Sequence, residues 1–551
     1  MKFGVITKLL SAGLLASSLV AACAPNPNQD EGRDEQLSVL ESAVPEPSGL
    51  LAKTLPELVE ALAAGETTSS ELLRAYLERI GDVDRQYNSI LFLNPDAEAQ
   101  AAASDNRRTA GATLGALDGV PILLKDNIES ADPMPTTAGS TALLENITGR
   151  DSPLVAGLRA QGAVILGKTN MSQWANFRSS DSMSGWSSLG GQVQNPHAPG
   201  RNPCGSSSGS GAAVAAAYAA GAVGTETNGS IICPSNVNGI VGFKPTVGVI
   251  SSDLIIPISP TQDTAGPMTK TVRGSALMIN AMAPGGTDFT SGLTADALSG
   301  VKVGVLRFRQ GRYAPIVETF DAALADMEKA GAVLVEIESF KPASDTIGDD
   351  ETILLETEFK DSLNAYLGNL PKGDFPKTLT ELIAFNEANS DVELALFNQD
   401  IFYASDARTP PTDPDFVALR ERLLKATRED GIDALLAEHQ VDVLVAPSGP
   451  LAPLIDPVNG DVWPSWVGFG SMAAIAGYPH LTVPMGGFRG IPLGVSFIGT
   501  AGQDAEILAL GYAYEQVSQK RMSPFNSIRD FQLHNQANRP GVLRLRADEA
   551  G

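Results

Sequence analysis

Lys125 stands at the end of an apolar run, Val120-Pro121-Ile122-Leu123-Leu124, and is followed by Asp126-Asn127. Ser206 lies in a serine-dense turn, Cys204-Gly205-Ser206-Ser207-Ser208-Gly209-Ser210-Gly211. Ser230 lies in a second turn, Gly224-Thr225-Glu226-Thr227-Asn228-Gly229-Ser230-Ile231. A lysine and two such serines are the parts of a Ser-Ser-Lys hydrolase. Acyl transfer needs a nucleophile, a base to deprotonate it and donors for the tetrahedral oxyanion. Ser230 is the candidate nucleophile. The backbone N–H groups of Thr227, Asn228, Gly229 and Ser230 can point inward together as oxyanion donors, with Ser207 beside them as a substrate contact. A lysine serves as base only when neutral, and burial lowers its pKa by penalising the charged form. The apolar residues ahead of Lys125 suit that environment. Ser206 then sits between the two, passing a proton from Ser230 to Lys125 and later returning it to the leaving amine. Without a histidine, such a relay works best at neutral to alkaline pH. Each piece alone has a plainer reading: a strand-end lysine is usually solvated, and Asn228-Gly229 is a common hairpin signal. The combination carries the chemistry.

Two other motifs compete for attention. Gly162-Ala163-Val164-Ile165-Leu166-Gly167-Lys168-Thr169 matches the phosphate-loop pattern letter by letter. Its four central residues, however, are those of a buried strand rather than of a loop curled around an anion. Gly205-Ser206-Ser207-Ser208-Gly209 formally fits the nucleophile elbow of α/β-hydrolases. That elbow needs a strand immediately before it, and Asn195 to Pro203 cannot be a central strand.

The elements that would hold these residues alternate. Thr54 to Ala64 and Thr68 to Ile80 have helical apolar spacing, with capping residues Thr68-Ser69-Ser70-Glu71 between them. Val120 to Leu124 reads as a buried strand, Ser152 to Gln161 as a helix and Ala163 to Leu166 as a strand. Gly211 to Ala222 reads as an Ala-rich helix able to pack very close to a sheet. Val301 to Leu306 and Ala332 to Ile337 are short strands flanking a helical Val317 to Ala330. Residues 344–438 are more polar and helical in pattern, an insertion expected to shape the substrate mouth. Strand signals return at Val441 to Ala446 and Gly494 to Ile498, before a helix from Asp504 to Gln516. Such alternation predicts an α/β fold with its sheet covered on both faces.

The beginning of the chain sets an expected compartment. Lys2 and Lys8 precede an apolar, small-residue run from Leu9 to Ala22, too short for a stable span and suited to a secretory signal. Leu19-Val20-Ala21-Ala22-Cys23 looks like a bacterial lipobox, so Cys23 is the expected lipidation site, with ordinary cleavage near Ala22 as the alternative. Pro25 to Glu35 is a polar tether. The expected organisation is a signal peptide at 1–22, a lipidated start and tether at 23–50, a catalytic unit at 51–520 and a tail at 521–551. This places the protein in the periplasm or on the outer membrane, with membrane contact only through the Cys23 lipid. A formal net charge of -25, from 39 basic and 64 acidic residues, repels phosphate backbones and argues against nucleic-acid partners. Cys204 and Cys233 flank the two serines. They either pair, as an oxidising compartment permits, or fill space as two buried thiols. The four histidines are scattered, so neither a metal nor a cofactor is expected.

In order and spacing, Lys125, Ser206 and Ser230 resemble the amidase signature family. The resemblance runs from about Thr54 to Gln516 and includes Gly162 to Met171, Gly239 to Thr246, Gln262 to Met268 and Gly477 to Pro484. It implies a large mixed, twisted central β-sheet sandwiched between α-helices. It also implies Lys125 as base, Ser206 as the bridging serine in cis geometry and Ser230 as the acyl-forming nucleophile. The family often has a second glycine where Asn228 stands, and commonly an arginine just after the nucleophile. Here Ile231, Ile232 and Cys233 occupy those places, which favours neutral substrates. The wording around the site looks most like bacterial peptide amidases, which deamidate C-terminally amidated peptides. A small-molecule or peptide amide is thus the expected substrate. Fatty-acid or aryl amides, an esterase, the amidase-like component of a tRNA-dependent amidotransferase and a non-catalytic ligand-binding lipoprotein are the alternatives.

Overall fold

Runs of apolar residues with no polar face must be covered by protein on both sides, and here they become the middle of a large sheet. The computed structural model describes residues 44–283, 285–371, 373–463 and 466–524. The leader, Cys23 and most of the C-terminal tail therefore lie outside the described residues. The strands are, in chain order, β1 (Ile90–Leu93), β2 (Pro121–Lys125), β3 (Val164–Thr169), β4 (Trp186–Ser187), β5 (Gly191–Gln192), β6 (Gly221–Glu226) and β7 (Val241–Lys244). There follow β8 (Thr264–Thr269), β9 (Lys302–Leu306), β10 (Val333–Ile337), β11 (Val443–Pro447), β12 (His480–Phe488) and β13 (Ile491–Ile498). β4 and β5 form a separate ribbon. The other 11 make one sheet in the order β1-β3-β2-β6-β8-β7-β12-β13-β11-β9-β10.

The sheet is mixed. β3, β2 and β6 are mutually parallel, as are β11, β9 and β10, whereas the pairings from β6 through β8, β7, β12 and β13 to β11 are antiparallel. Helices Ser208–Ala215, Val272–Met282, Ala314–Lys329 and Asp504–Ser518 pack against it. The described chain from Pro45 onward forms one compact unit. Residues 344–438 are helical throughout their ordered elements, beginning with the long helix Ile347–Gly368. Their apolar cluster around Phe359, Phe402 and Leu423 is shared with Trp174, Ile256 and Ile258 from outside the insertion.

Local signals explain most boundaries. Thr54 and Thr68 cap helices Leu55–Ala64 and Ser69–Val83, each closing a capping box with Glu57 or Glu71. The phosphate-loop pattern is strand β3, buried along its whole length. Its Lys168 amine donates to Ile128 O at 2.6 Å and Thr136 Oγ1 at 2.8 Å instead of meeting an anion.

The expected Ala-rich helix from Gly211 to Ala222 is corrected. The helix is Ser208–Ala215, the chain reverses through Ala217 at φ +61, and Gly221 already begins β6. Small residues serve both segments here because the backbones approach closely. A Cβ on Gly209 would lie 2.3 Å from Asn170 O and 2.4 Å from Ser89 O, both fixed backbone atoms. Gly209→Ala should therefore destabilise the protein by roughly 1–3 kcal/mol, read as a lower urea midpoint at unchanged slope. A midpoint equal to that of the parent would contradict this packing.

Candidate active site

Because β2 and β6 are parallel neighbours, Lys125 and Thr225 emerge at the same edge of the sheet. Lys125 is fully buried, and its Nζ contacts Ser206 Oγ at 2.7 Å, Thr225 Oγ1 at 2.8 Å and Thr225 O at 3.2 Å. Ser206 Oγ is in turn 3.0 Å from Ser230 Oγ. The three predicted side chains thus form one continuous chain of hydrogen bonds, with Ser206 wholly buried and Ser230 8% exposed. When the amine is protonated, it donates to Ser206 and Ser206 donates to Ser230. Once it is neutral, both bonds can run the other way. Burial pulls the Lys125 pKa down to about 7, against the opposing charges of Asp263 and Glu226.

The turns that carry the serines are tied together. The Gly205–Ser206 peptide is cis, Ser172 N donates to Ser206 O, and Ser207 N donates to Ser230 O at 3.2 Å. Cys204 and Cys233 are joined by a disulfide with a Cα–Cα distance of 5.8 Å, which links the first turn to the helix Ile232–Val237 after the second. Glu226 Oε2 accepts from Ile231 N and Ile232 N at 2.7 and 3.0 Å, so those two amides are spent. The N–H groups of Thr227, Asn228, Gly229 and Ser230 donate to no protein acceptor among the described residues. Gly229 has φ +82, with open space where a Cβ would project.

Ser207 departs from its expected place as a substrate contact. Its hydroxyl donates to Thr225 O at 3.0 Å and accepts from Thr225 N at 3.2 Å, so it pins the turn to β6. Sequence reasoning also missed the groups that fix the second turn. Thr227 Oγ1 donates to Asp263 at 2.5 Å, and Gln262 Nε2 donates to Thr227 O at 3.1 Å. Asp263 also accepts from Ile258 N and Ser259 N, yet burial raises its pKa to about 6. Both residues lie in the Gln262 to Met268 block, which was a usable signal. Asn228 Nδ2 donates to Glu351 Oε1 at 2.7 Å, and Gln262 Nε2 reaches the same oxygen at 3.1 Å. Glu351 sits on the helix Ile347–Gly368, and no motif marked it.

Two separate hollows lie beside this loop. One, of about 30 Å³, is bordered by Ser206, Thr225, Thr227, Asp263, Ile256 and Ile258. The other, of about 190 Å³, is bordered by Asn228, Gly229, the disulfide, Asp461, Trp463 and Trp466. The larger wall thus comes from 448–471, not from the 344–438 insertion expected to shape it. The insertion reaches the loop through Glu351.

The model of the Amidase family matches residues 71–508. The native peptide amidase from Stenotrophomonas maltophilia is 43% identical, with a TM-score of 0.81 over 86% of this chain and 98% of that one. A probable amidase of Arabidopsis thaliana is 33% identical over 86% of this chain and 91% of its own length. A putative amidase of Arthroderma benhamiae is 34% identical over 82% of this chain and 79% of its own length. The chain belongs to the amidase family. It is a hydrolase of amide C–N bonds, on the large mixed sheet flanked by helices that the sequence predicted.

Glu351→Ala would leave the Asn228 and Gln262 amides without their shared acceptor. A loss of roughly 1–3 kcal/mol is expected in denaturant melts, together with a lower kcat because the Thr227–Ser230 loop loses its anchor. Unchanged kcat and stability would contradict the anchoring.

Proposed function

We propose that the enzyme hydrolyses the terminal carboxamide of C-terminally amidated peptides, releasing ammonia, with Ser230 as nucleophile, Ser206 as proton bridge and Lys125 as base. The observation that carries this reading is the unbroken contact from the buried Lys125 amine through Ser206 to Ser230. In the neutral state Lys125 accepts the Ser206 proton as Ser206 accepts that of Ser230, and Ser230 Oγ bonds to the amide carbon. The oxyanion is received by the unspent N–H groups between Thr227 and Ser230. The proton returns through Ser206 to the amide nitrogen, the C–N bond breaks and ammonia leaves. Water then enters by the same relay and releases the carboxylic acid from Ser230.

Size and charge support the substrate class. Ser206, which hands the proton to the leaving nitrogen, borders the hollow of about 30 Å³, room for a group the size of water or ammonia. The acyl portion has the larger cavity beside Asn228 and Gly229. Ile231, Ile232 and Cys233 offer no cation for a substrate carboxylate. The 43% identity to a peptide amidase points the same way. The amidotransferase reading is disfavoured by the acidic net charge of -25. Export, with Cys23 lipidated, is part of the proposal. It is supported by the leader and by the Cys204–Cys233 pairing, which suits an oxidising compartment.

Ser230→Ala should abolish turnover and fluorophosphonate labelling, and Lys125→Ala should cut kcat by about 10³-fold or more. Parental rates in either folded variant would reject the relay. Because Lys125 must be unprotonated to accept a proton, kcat/KM should rise with pH through about 7. A flat profile from pH 5 to 9 would contradict that role. Among a peptide amide, a long-chain acyl amide, glutamine and an aryl amide, the peptide amide should release ammonia fastest. If it is the slowest, the substrate assignment fails.

A further inference from the structure

The larger cavity has an electrostatic character that the hydrolytic chemistry itself does not require. Among the described residues that border it, Asp461 is the single charged side chain, and Trp463 and Trp466 stand beside it. The two indole rings meet edge to face with centroids 5.4 Å apart, and Trp466 is half exposed toward solvent. Asp461 is held rigidly. Its Oδ1 accepts from Ser184 N at 3.0 Å and from Asn202 Nδ2 at 2.7 Å. Asn202 also accepts from Cys204 N through its side-chain oxygen at 2.7 Å, so this carboxylate is built into the same framework as the Ser206 turn. No arginine, lysine or histidine among those bordering residues neutralises it.

We infer that Asp461, with Trp463 and Trp466, forms a subsite for a cationic group on the acyl side of the scissile amide, such as the free α-ammonium of a short peptide amide. This rests on the substrate reading above and adds the recognised charge to it. A carboxylate supplies the opposite charge, and aromatic faces attract an ammonium that has shed part of its water. The cavity extends from Asn228 and Gly229, where the carbonyl must lie, to Asp461, so one bound molecule can meet both ends. The same wall repels an acyl group that carries a carboxylate. A net charge of -25 adds a long-range field that draws cationic amides toward the protein.

The test compares a dipeptide amide bearing a free amino group with its N-acetylated form, at pH 7 and low salt, where an α-amino group of pKa about 7.7–8.0 is largely protonated. The pair 6-aminohexanamide and its N-acetyl derivative runs in parallel, so the charge comparison survives if peptide amides prove poor substrates. The free amine should have the higher kcat/KM by roughly tenfold. In Asp461→Asn, which preserves an acceptor for Ser184 and Asn202, the ratio should collapse to near one, and added salt should weaken the preference in the parent enzyme. Equal kcat/KM for charged and acetylated substrates in the parent would overturn the inference. So would an Asp461→Asn variant that slows both by the same factor, since the carboxylate would then serve only to hold Ser184 and Asn202. Failure of the peptide pair alone, with the hexanamide pair still discriminated, would overturn the peptide assignment and leave the cation subsite standing.

Discussion

The amine of Lys125 is removed from water, and the rest of the site follows from that. An ammonium in such surroundings is disfavoured far more than a neutral amine, so the group releases its proton near neutrality instead of near pH 10. Burial alone would leave an amine with nothing to act on. Thr225 and Ser206 complete its hydrogen bonds, and Thr225 Oγ1 also accepts from Asn127 Nδ2 at 3.0 Å. The amine is therefore held in one direction. The negative charges of Asp263 and Glu226 oppose the fall in its pKa, and each has a second duty. Asp263 anchors Thr227, and Glu226 consumes the amides of Ile231 and Ile232. The four amides before them are left unspent.

This arrangement needs three chain segments to converge. Parallel strands β2 and β6 deliver Lys125 and Thr225 to one sheet edge, the region of an open α/β sheet where ligands ordinarily bind. The helix Ser208–Ala215 lies so close to its neighbours that Gly209 touches backbone on two sides. Ser207 then stitches the helix start to β6, and the Cys204–Cys233 bond closes the far side. The reaction centre is thus supported by backbone contacts and strands rather than by free loops. The 344–438 helices add long-range ties to this loop through Glu351, which accepts from both Asn228 and Gln262.

Much of this was legible in the residues themselves. The apolar run before Lys125 signalled burial, and the two turns marked both serines. The four apolar residues inside the false phosphate loop already spoke for a strand. What escaped had specific causes. Strand β6 reads Gly-Ala-Val-Gly-Thr-Glu. It has few of the branched residues that signal a strand because its neighbours press too closely to admit them. Ser207 shares its neighbours' chemistry, and only the fold decides which way each hydroxyl turns. Glu351 is 123 residues from its partner Asn228, so local pattern holds no trace of the pair. Asp461, Trp463 and Trp466 sit in an irregular stretch whose meaning emerges only beside the cavity. Motifs therefore revealed the reacting groups, whereas the residues that orient them and the wall around them required the tertiary structure.

The most direct test of this account is the titration of Lys125 itself. The ¹³Cε resonance of Lys125 in the lysine-labelled full-length enzyme, assigned by its loss in Lys125→Arg, should move with an apparent pKa of about 7. A midpoint near that of a solvated lysine, about 10.4, would mean that the amine stays charged at working pH, and the relay through Ser206 would be wrong.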